Sequence, residues 1–219
     1  MAQLTAIFEH AVERRSRPGD PTWEMTRFFP PQGRWTESEY LALNTNELIE
    51  FADGCLEFLP MATPFHQAIV AFLFGMLDRF VRAGVPGEVF FAPCPVHTIA
   101  GHFREPDIFY VRPERLPDRH RPPQGADLGI EVVSGDPDDR KQDLVTKRAE
   151  YARAQIPEYW IIDPQQRTIT VLILQGTTYR EHGVFGAGLQ ATSVLLPGFS
   201  VSVDDVFAAG EGKLATSPT

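Results

Sequence analysis

The stretch ADLGIEVVSGDPDDRKQDLVTKRAEYARAQIPEYWIIDP, residues 126–164, reads as strand, helix, strand. ADLGIEVVS is a short apolar run closed by Ser, Gly and Asp, the pattern of a buried strand. From Asp136 a Pro near the start, acids in the first turn and bases further on give the polarity of a helix and its dipole. EYWIIDP then returns as a second buried strand. Glu131 falls near the end of the first strand and Lys147 lies on the helix.

Upstream, REPDIFYV (residues 104–111) is another short apolar run, and it carries Asp107. An ionised carboxylate among residues that prefer to be dry is normally paired, hydrogen-bonded or coordinated to a metal. Asp107 and Glu131 therefore invite a shared explanation, two carboxylates from neighbouring strands converging on one hard cation such as magnesium. Taken singly, each reads more simply as half of a structural ion pair, Asp107 with Arg104 and Glu131 with Lys147. On the helix, Asp143, Lys147 and Tyr151 fall four apart, so an ammonium and a phenol can line the cleft that Glu131 enters. A lysine beside a metal can orient the attacking water or offset charge on a pentacovalent phosphate. Its plainer reading is a solvated face with an Asp143–Lys147 pair.

These residues together resemble the PD-(D/E)XK nuclease superfamily, in which the Asp of a Pro-Asp pair and an acid on the next strand hold the metal and a lysine completes the site. Pro106-Asp107 matches the first part and Glu131 the second. The residue two after Glu131 is Val133, where the superfamily motif has lysine, and Lys147 is similar to the variant whose lysine has moved to the following helix, as in the Uma-two family of restriction endonucleases. IEFADG (residues 49–54), LPMATPFHQ (59–67), FREPD (103–107), DLVTKRAEYA (143–152) and IPEYWIIDP (156–164) look like segments of that family in family order, spanning roughly residues 36–208. The resemblance implies a restriction-endonuclease-like α/β sandwich with a central mixed β-sheet flanked by helices. It also implies a magnesium- or manganese-dependent endonuclease acting on DNA, with Asp107 and Glu131 as metal ligands and Asp107, Glu131, Lys147 and Glu50 as catalytic residues.

Glu50 has two readings of equal weight. It matches a family acid that could position water or a second cation, or it merely sits in the hairpin IEFADGCLEFLP, whose turn is Asp53-Gly54. His66 also matches a family position, and a lone histidine at a helix start is by default a packing or capping residue.

The chain has 219 residues, 43% hydrophobic and 22% charged, enough for one domain with a substantial core. The expected organisation is an N-terminal segment over residues 1–35, the nuclease-like domain over 36–209 and a disordered tail over 210–219. Cys55 and Cys94 lack metal-ligand spacing, and neither a transmembrane stretch nor a signal-peptide core is visible, so a cytoplasmic protein is expected. The formal charge of −9 is not the footprint of a broad basic nucleic-acid face. Phosphate contacts would have to come from local bases: Arg112, Arg115, Arg119 and Arg121, Arg140 and Lys141, or Arg14, Arg15 and Arg17. One active site cuts one strand, so cleavage of a duplex would favour a homodimer.

The remaining elements are a short helix at TESEYLAL, a long helix from His66 to Ala83, strands at EVFFAPCPVHTI and TITVLIL, and a terminal β extension with a closing helical turn. There is no G-x-S-x-G elbow and no P-loop, and HGVFGAG has the wrong glycine order for a dinucleotide site. Two rivals to the nuclease reading stay open: a nuclease-fold binding or regulatory protein that cuts nothing at a useful rate, and an interaction protein whose carboxylates and Lys147 form a buried ion network.

Overall fold

Alternating apolar side chains build the central sheet. In the computed structural model, which describes residues 29–43, 45, 47–133 and 142–213, six strands lie in the order β10-β9-β8-β7-β6-β3. They are β3 (Glu88–Phe91), β6 (Ile108–Val111), β7 (Leu128–Val132), β8 (Glu158–Asp163), β9 (Thr168–Gln175) and β10 (Thr178–Phe185). β7 and β8 run parallel and the other neighbours antiparallel, so the sheet is mixed, as expected. Ile108, Ile130, Val132, Trp160 and Ile162 face one core, and Phe109, Val133, Tyr159 and Ile161 face another. Both faces are covered, which is why these strands read as continuous apolar runs.

On the first face lies the long helix α2 (Pro64–Arg82). Thr63 caps it, Pro64 opens it, and Ile69, Leu73, Leu77 and Val81 form its buried stripe; that is the i, i+4 spacing of one helix face. The terminal extension joins this side, with β11 (Gln190–Thr192), β12 (Ser200–Ser202) and α4 (Val203–Gly210), whose first turn carries Asp204 and Asp205 behind the Ser202 cap. The second face is covered by α3 (Arg148–Arg153), which contributes Tyr151 and Ala152.

A second, antiparallel sheet has the order β2-β1-β5-β4, from β1 (Ile49–Ala52), β2 (Cys55–Phe58), β4 (Val96–Ile99) and β5 (His102–Arg104). Its core of Trp35, Tyr40, Ile49, Phe51, Leu56 and Phe103 is closed by α1 (Glu37–Leu41). The β1–β2 turn is the expected Asp53-Gly54 pair, with φ of 49° and 77°; both residues are left-handed, as a two-residue hairpin loop requires. A Cβ on Gly54 would lie 2.9 Å from the Gly33 backbone, so this turn also admits a close chain crossing.

Two expected strands divide. REPDIFYV splits at Glu105-Pro106-Asp107, with Arg104 ending β5 in the small sheet and Ile108 opening β6 in the large one. Pro106 has no N–H for a ladder and keeps the residue before it extended, so the chain changes sheets there. EVFFAPCPVHTI divides in the same way around Pro93 and Pro95 into β3 and β4. The helix expected from Asp136 begins, among the described residues, as a π-helical turn over Gln142–Lys147 that runs into α3. Its first residues lie outside the described part, as do residues 1–28 of the N-terminal segment and 214–219 of the tail. Among the described residues, no helix is long and apolar enough to cross a membrane.

Candidate active site

The change of sheets at Pro106 sets the site. One residue beyond the Phe51–Phe103 pair lie Glu50 on β1 and Arg104 on β5. One residue beyond the Ile108–Ile130 pair lie Asp107 and Glu131. Four charged residues are thus delivered by two adjacent ladders, and the link between them is only Glu105-Pro106.

Lys147 joins the two ladders. Its ammonium nitrogen is 3.2 Å from Glu50 Oε1 and 3.1 Å from Glu131 Oε1, and the residue is buried. Tyr151, one turn on, donates its hydroxyl to the same Glu131 oxygen at 2.8 Å. The shared face anticipated for Lys147 and Tyr151 is present; the Asp143 side chain lies outside the described part. The π-helical geometry at Lys147 fits the tendency of π-turns to occur where a functional side chain is re-aimed. Burial, then the charge of Glu131, raises the Tyr151 pKa well above its ordinary value, so the phenol stays a donor.

Asp107 sits at the open end. Its Oδ2 accepts the Val132 N–H at 2.8 Å and lies 3.1 Å from His66 Nε2. The Asp107 and His66 side chains are each 18% exposed, against 4% for Glu131 and Lys147 and 0% for Glu50, so solvent reaches the cluster from the Asp107 side. His66, expected to pack or cap, does more than that. Thr63 makes the helix cap to the His66 backbone N–H, which leaves the imidazole for Asp107. Arg104 does not pair with Asp107, as the ion-pair alternative supposed. It is bound to Glu50, Glu57 and Glu150. Glu50 faces Glu57 directly across β1 and β2, a like-charge pairing that would be unfavourable without the guanidinium touching both.

Glu105 is the residue that motif reasoning passed over. Its backbone N–H donates to Glu50 Oε1 at 3.1 Å, while its own Oε2 is buried with no hydrogen-bond partner among the described residues. Burial first and Glu50 second push its pKa up to about 7, with Lys147 acting against them. The signal available in the sequence was the run Arg104-Glu105-Pro106-Asp107, four residues with three charges at a strand boundary. Glu150, three residues after Lys147, was legible only as a helix-surface acid.

The chemistry of this donor set fits a hard divalent cation. Asp107, Glu131 and Glu105 offer carboxylate oxygens only, and a buried carboxylate oxygen with no donor is a group that a cation would satisfy. Among the described residues no three His, Cys, Asp or Glu side chains form a ready-made metal cage, and Glu131 and Glu50 share the Lys147 ammonium instead. Magnesium needs only one or two protein carboxylates and keeps its remaining positions for water and phosphate, so facing acids on adjacent strands are sufficient.

The four described candidate phosphate-binding bases each lie beside an acid. Arg115 pairs with Asp127 at 3.3 Å, Arg121 with Asp118 at 3.6 Å, Arg119 with Glu88, and Arg112 lies 3.9 Å from Asp127. This loop is therefore laced to its own domain. Arg14, Arg15, Arg17, Arg140 and Lys141 lie outside the described residues.

Comparison with known proteins bears on the family and the fold. A family model described as "Putative restriction endonuclease", Uma2, matches residues 24–204. Among solved structures, the fold is shared with "a putative nuclease belonging to DUF820 from Anabaena variabilis ATCC 29413", at a TM-score of 0.66 and 22% sequence identity, covering 83% of this chain and 99% of that one. Comparison with curated proteins finds no match. With the match running over most of its length, the chain belongs to the Uma2 family.

Proposed function

We propose that the protein is a magnesium- or manganese-dependent endonuclease that hydrolyses DNA phosphodiester bonds. The observation that carries this reading is the placement of Lys147 between Glu50 and Glu131, with Asp107 on the adjoining strand at the solvent-open end. Family membership and the shared fold support it.

Asp107 and Glu131 would hold the cation. When bound, the cation supplies Lewis acidity toward a phosphoryl oxygen and favours the ionised form of a nearby water. The chain's own residues do the rest. Glu50 holds the Lys147 ammonium together with Glu131, so the lysine enters the reaction pre-oriented and its charge can offset that developing on the phosphorane. Tyr151 holds Glu131 in one rotamer through its hydroxyl. His66 Nε2 contacts Asp107 and orients that carboxylate relative to the Val132 N–H. With the described loop arginines paired internally and the net charge at −9, DNA affinity rests chiefly on the metal and its phosphate contacts, so binding is weak and transient. Two copies acting together would cut both strands of a duplex.

The test is calorimetric titration of magnesium and manganese into the wild type and into Asp107→Ala/Glu131→Ala, with plasmid nicking followed in the same samples. Binding and nicking that are both lost in the variant are the expected result. Absence of metal binding in the wild type would overturn the reading in favour of a structural ion network.

A further inference from the structure

We propose that Arg104 is a positioning residue for Lys147. The inference rests on the nuclease reading only where activity is measured. The guanidinium is 2% exposed and its donors are divided between α3 and the two strands of the β1–β2 hairpin. Nε reaches both Glu150 oxygens at 3.2 and 3.0 Å and Nη2 reaches Glu150 Oε2 at 2.8 Å, while Nη1 reaches Glu50 Oε2 at 2.9 Å and Glu57 Oε2 at 2.5 Å. Glu150 stands three residues beyond Lys147 on the same helical run, and the other oxygen of Glu50 takes the Lys147 ammonium. Arg104 therefore fixes Lys147 twice over, from the helix side through Glu150 and from the strand side through Glu50.

The double tether has a physical purpose. An ammonium on a four-carbon stem with acids on two sides has several near-equivalent positions, and the π-helical turn leading to it departs from α-helical geometry. What sets the height of Lys147 over the sheet is the docking of its helix, and the Arg104–Glu150 fork is a charged contact that docks it from the side of the small sheet. A planar guanidinium can bond a carboxylate along one edge and a second acid from its far nitrogen at the same time, whereas a lysine there would supply charge without the fork. Glu150 is itself held fast, since Thr98 donates to its Oε1 at 2.7 Å and His102 Nδ1 lies 3.2 Å from its Oε2. His102 is in turn within 3.2 Å of Asp53 in the hairpin turn. The cluster thus runs from the β1–β2 turn to the helix, and Arg104, like His102, touches both halves.

The experiment uses the full chain with Arg104→Lys and Arg104→Gln, together with Arg104→Gln/Glu150→Gln in case the single neutral variant does not fold. Leu73→Ala, in the large core on α2 away from the cluster, serves as a destabilised control. Acetic anhydride labelling, read by mass spectrometry at a temperature where all are folded, compares Lys147 with the exposed Lys213. Plasmid nicking with magnesium gives kcat and KM. Loss of the fork should raise the Lys147 to Lys213 labelling ratio about tenfold through local opening, with no rise in Leu73→Ala. It should also lower kcat about a hundredfold at nearly constant KM, the cost of misplacing a reacting group. Arg104→Lys should fail to restore either value. Unchanged labelling in the Arg104 variants, or equal labelling in Leu73→Ala, would overturn the inference even if the wild type nicks DNA. A raised ratio in a protein whose wild type does not nick would sustain the positioning role while removing the nuclease reading.

Discussion

Lys147 and Tyr151 meet at one atom: the ammonium at 3.1 Å and the phenol at 2.8 Å both contact Glu131 Oε1. A carboxylate that accepts two donors from one helical run is held in a single rotamer, and it ties the helix to the strand that carries it.

Tyr151→Phe keeps the ring among its neighbours and removes only the hydroxyl. Because the acceptor is charged and buried, the variant should lose about 1.5–3 kcal/mol of stability. Urea denaturation with an unchanged slope would show this, and plasmid nicking should fall with it as Glu131 gains rotamer freedom.

Lys147→Met leaves Glu50 and Glu131 buried without their shared cation. Breaking a buried pair from one side costs about 3–5 kcal/mol. Adding Glu131→Gln should recover much of that loss while leaving nicking absent. Recovery of nicking in the double variant would remove Lys147 from the reaction.

Magnesium should raise the melting temperature of the wild type, since a ligand that binds only the folded form stabilises it by about 2.7 kcal/mol at a hundred times its dissociation constant. Asp107→Asn and Glu131→Gln should each abolish most of the shift in scanning calorimetry, and Asp118→Asn, in the exposed arginine loop, should leave it intact.

Acid should act through Glu150. Burial opposes its ionisation, but the Arg104 hydrogen bond and charge, with Thr98 and His102, outweigh burial and hold its pKa below the ordinary glutamate value. The stabilisation is complete above the unfolded-state pKa of about 4.3 and is lost as pH falls through the lower folded-state value. Glu150→Gln should therefore be less stable than the wild type at neutral pH, with the gap closing below about pH 4. A constant gap in denaturation midpoints down to acid pH would contradict this.

Much of the architecture was legible from residues alone. Buried strands covered on both faces are continuous apolar runs, and β6, β7 and β8 announced themselves in that way. The apolar residues Ile69, Phe72, Leu73, Met76, Leu77 and Phe80 at helical spacing marked α2, and Asp53-Gly54 marked a hairpin because few other residues accept two left-handed positions. Asp107, Glu131, Lys147 and Glu50 stood out as ionisable groups at the ends of apolar runs or at matching motif positions.

What lay beyond the sequence was partnership. Nothing local in IEFADG says that Glu50 will take Lys147 from a helix almost a hundred residues later, or that Arg104 will bond Glu50, Glu57 and Glu150 rather than the nearby Asp107. The strand boundary at Pro106 was readable as a proline, but only tertiary structure decided that the chain changes sheets there and leaves Glu105 buried with an unanswered oxygen. The physical reason is range. Periodicity and turn chemistry are set by neighbours within a few residues, and the sequence by itself determined those elements. The pairing of buried charges depends on which elements pack together and at what height, and that was decided by the tertiary structure.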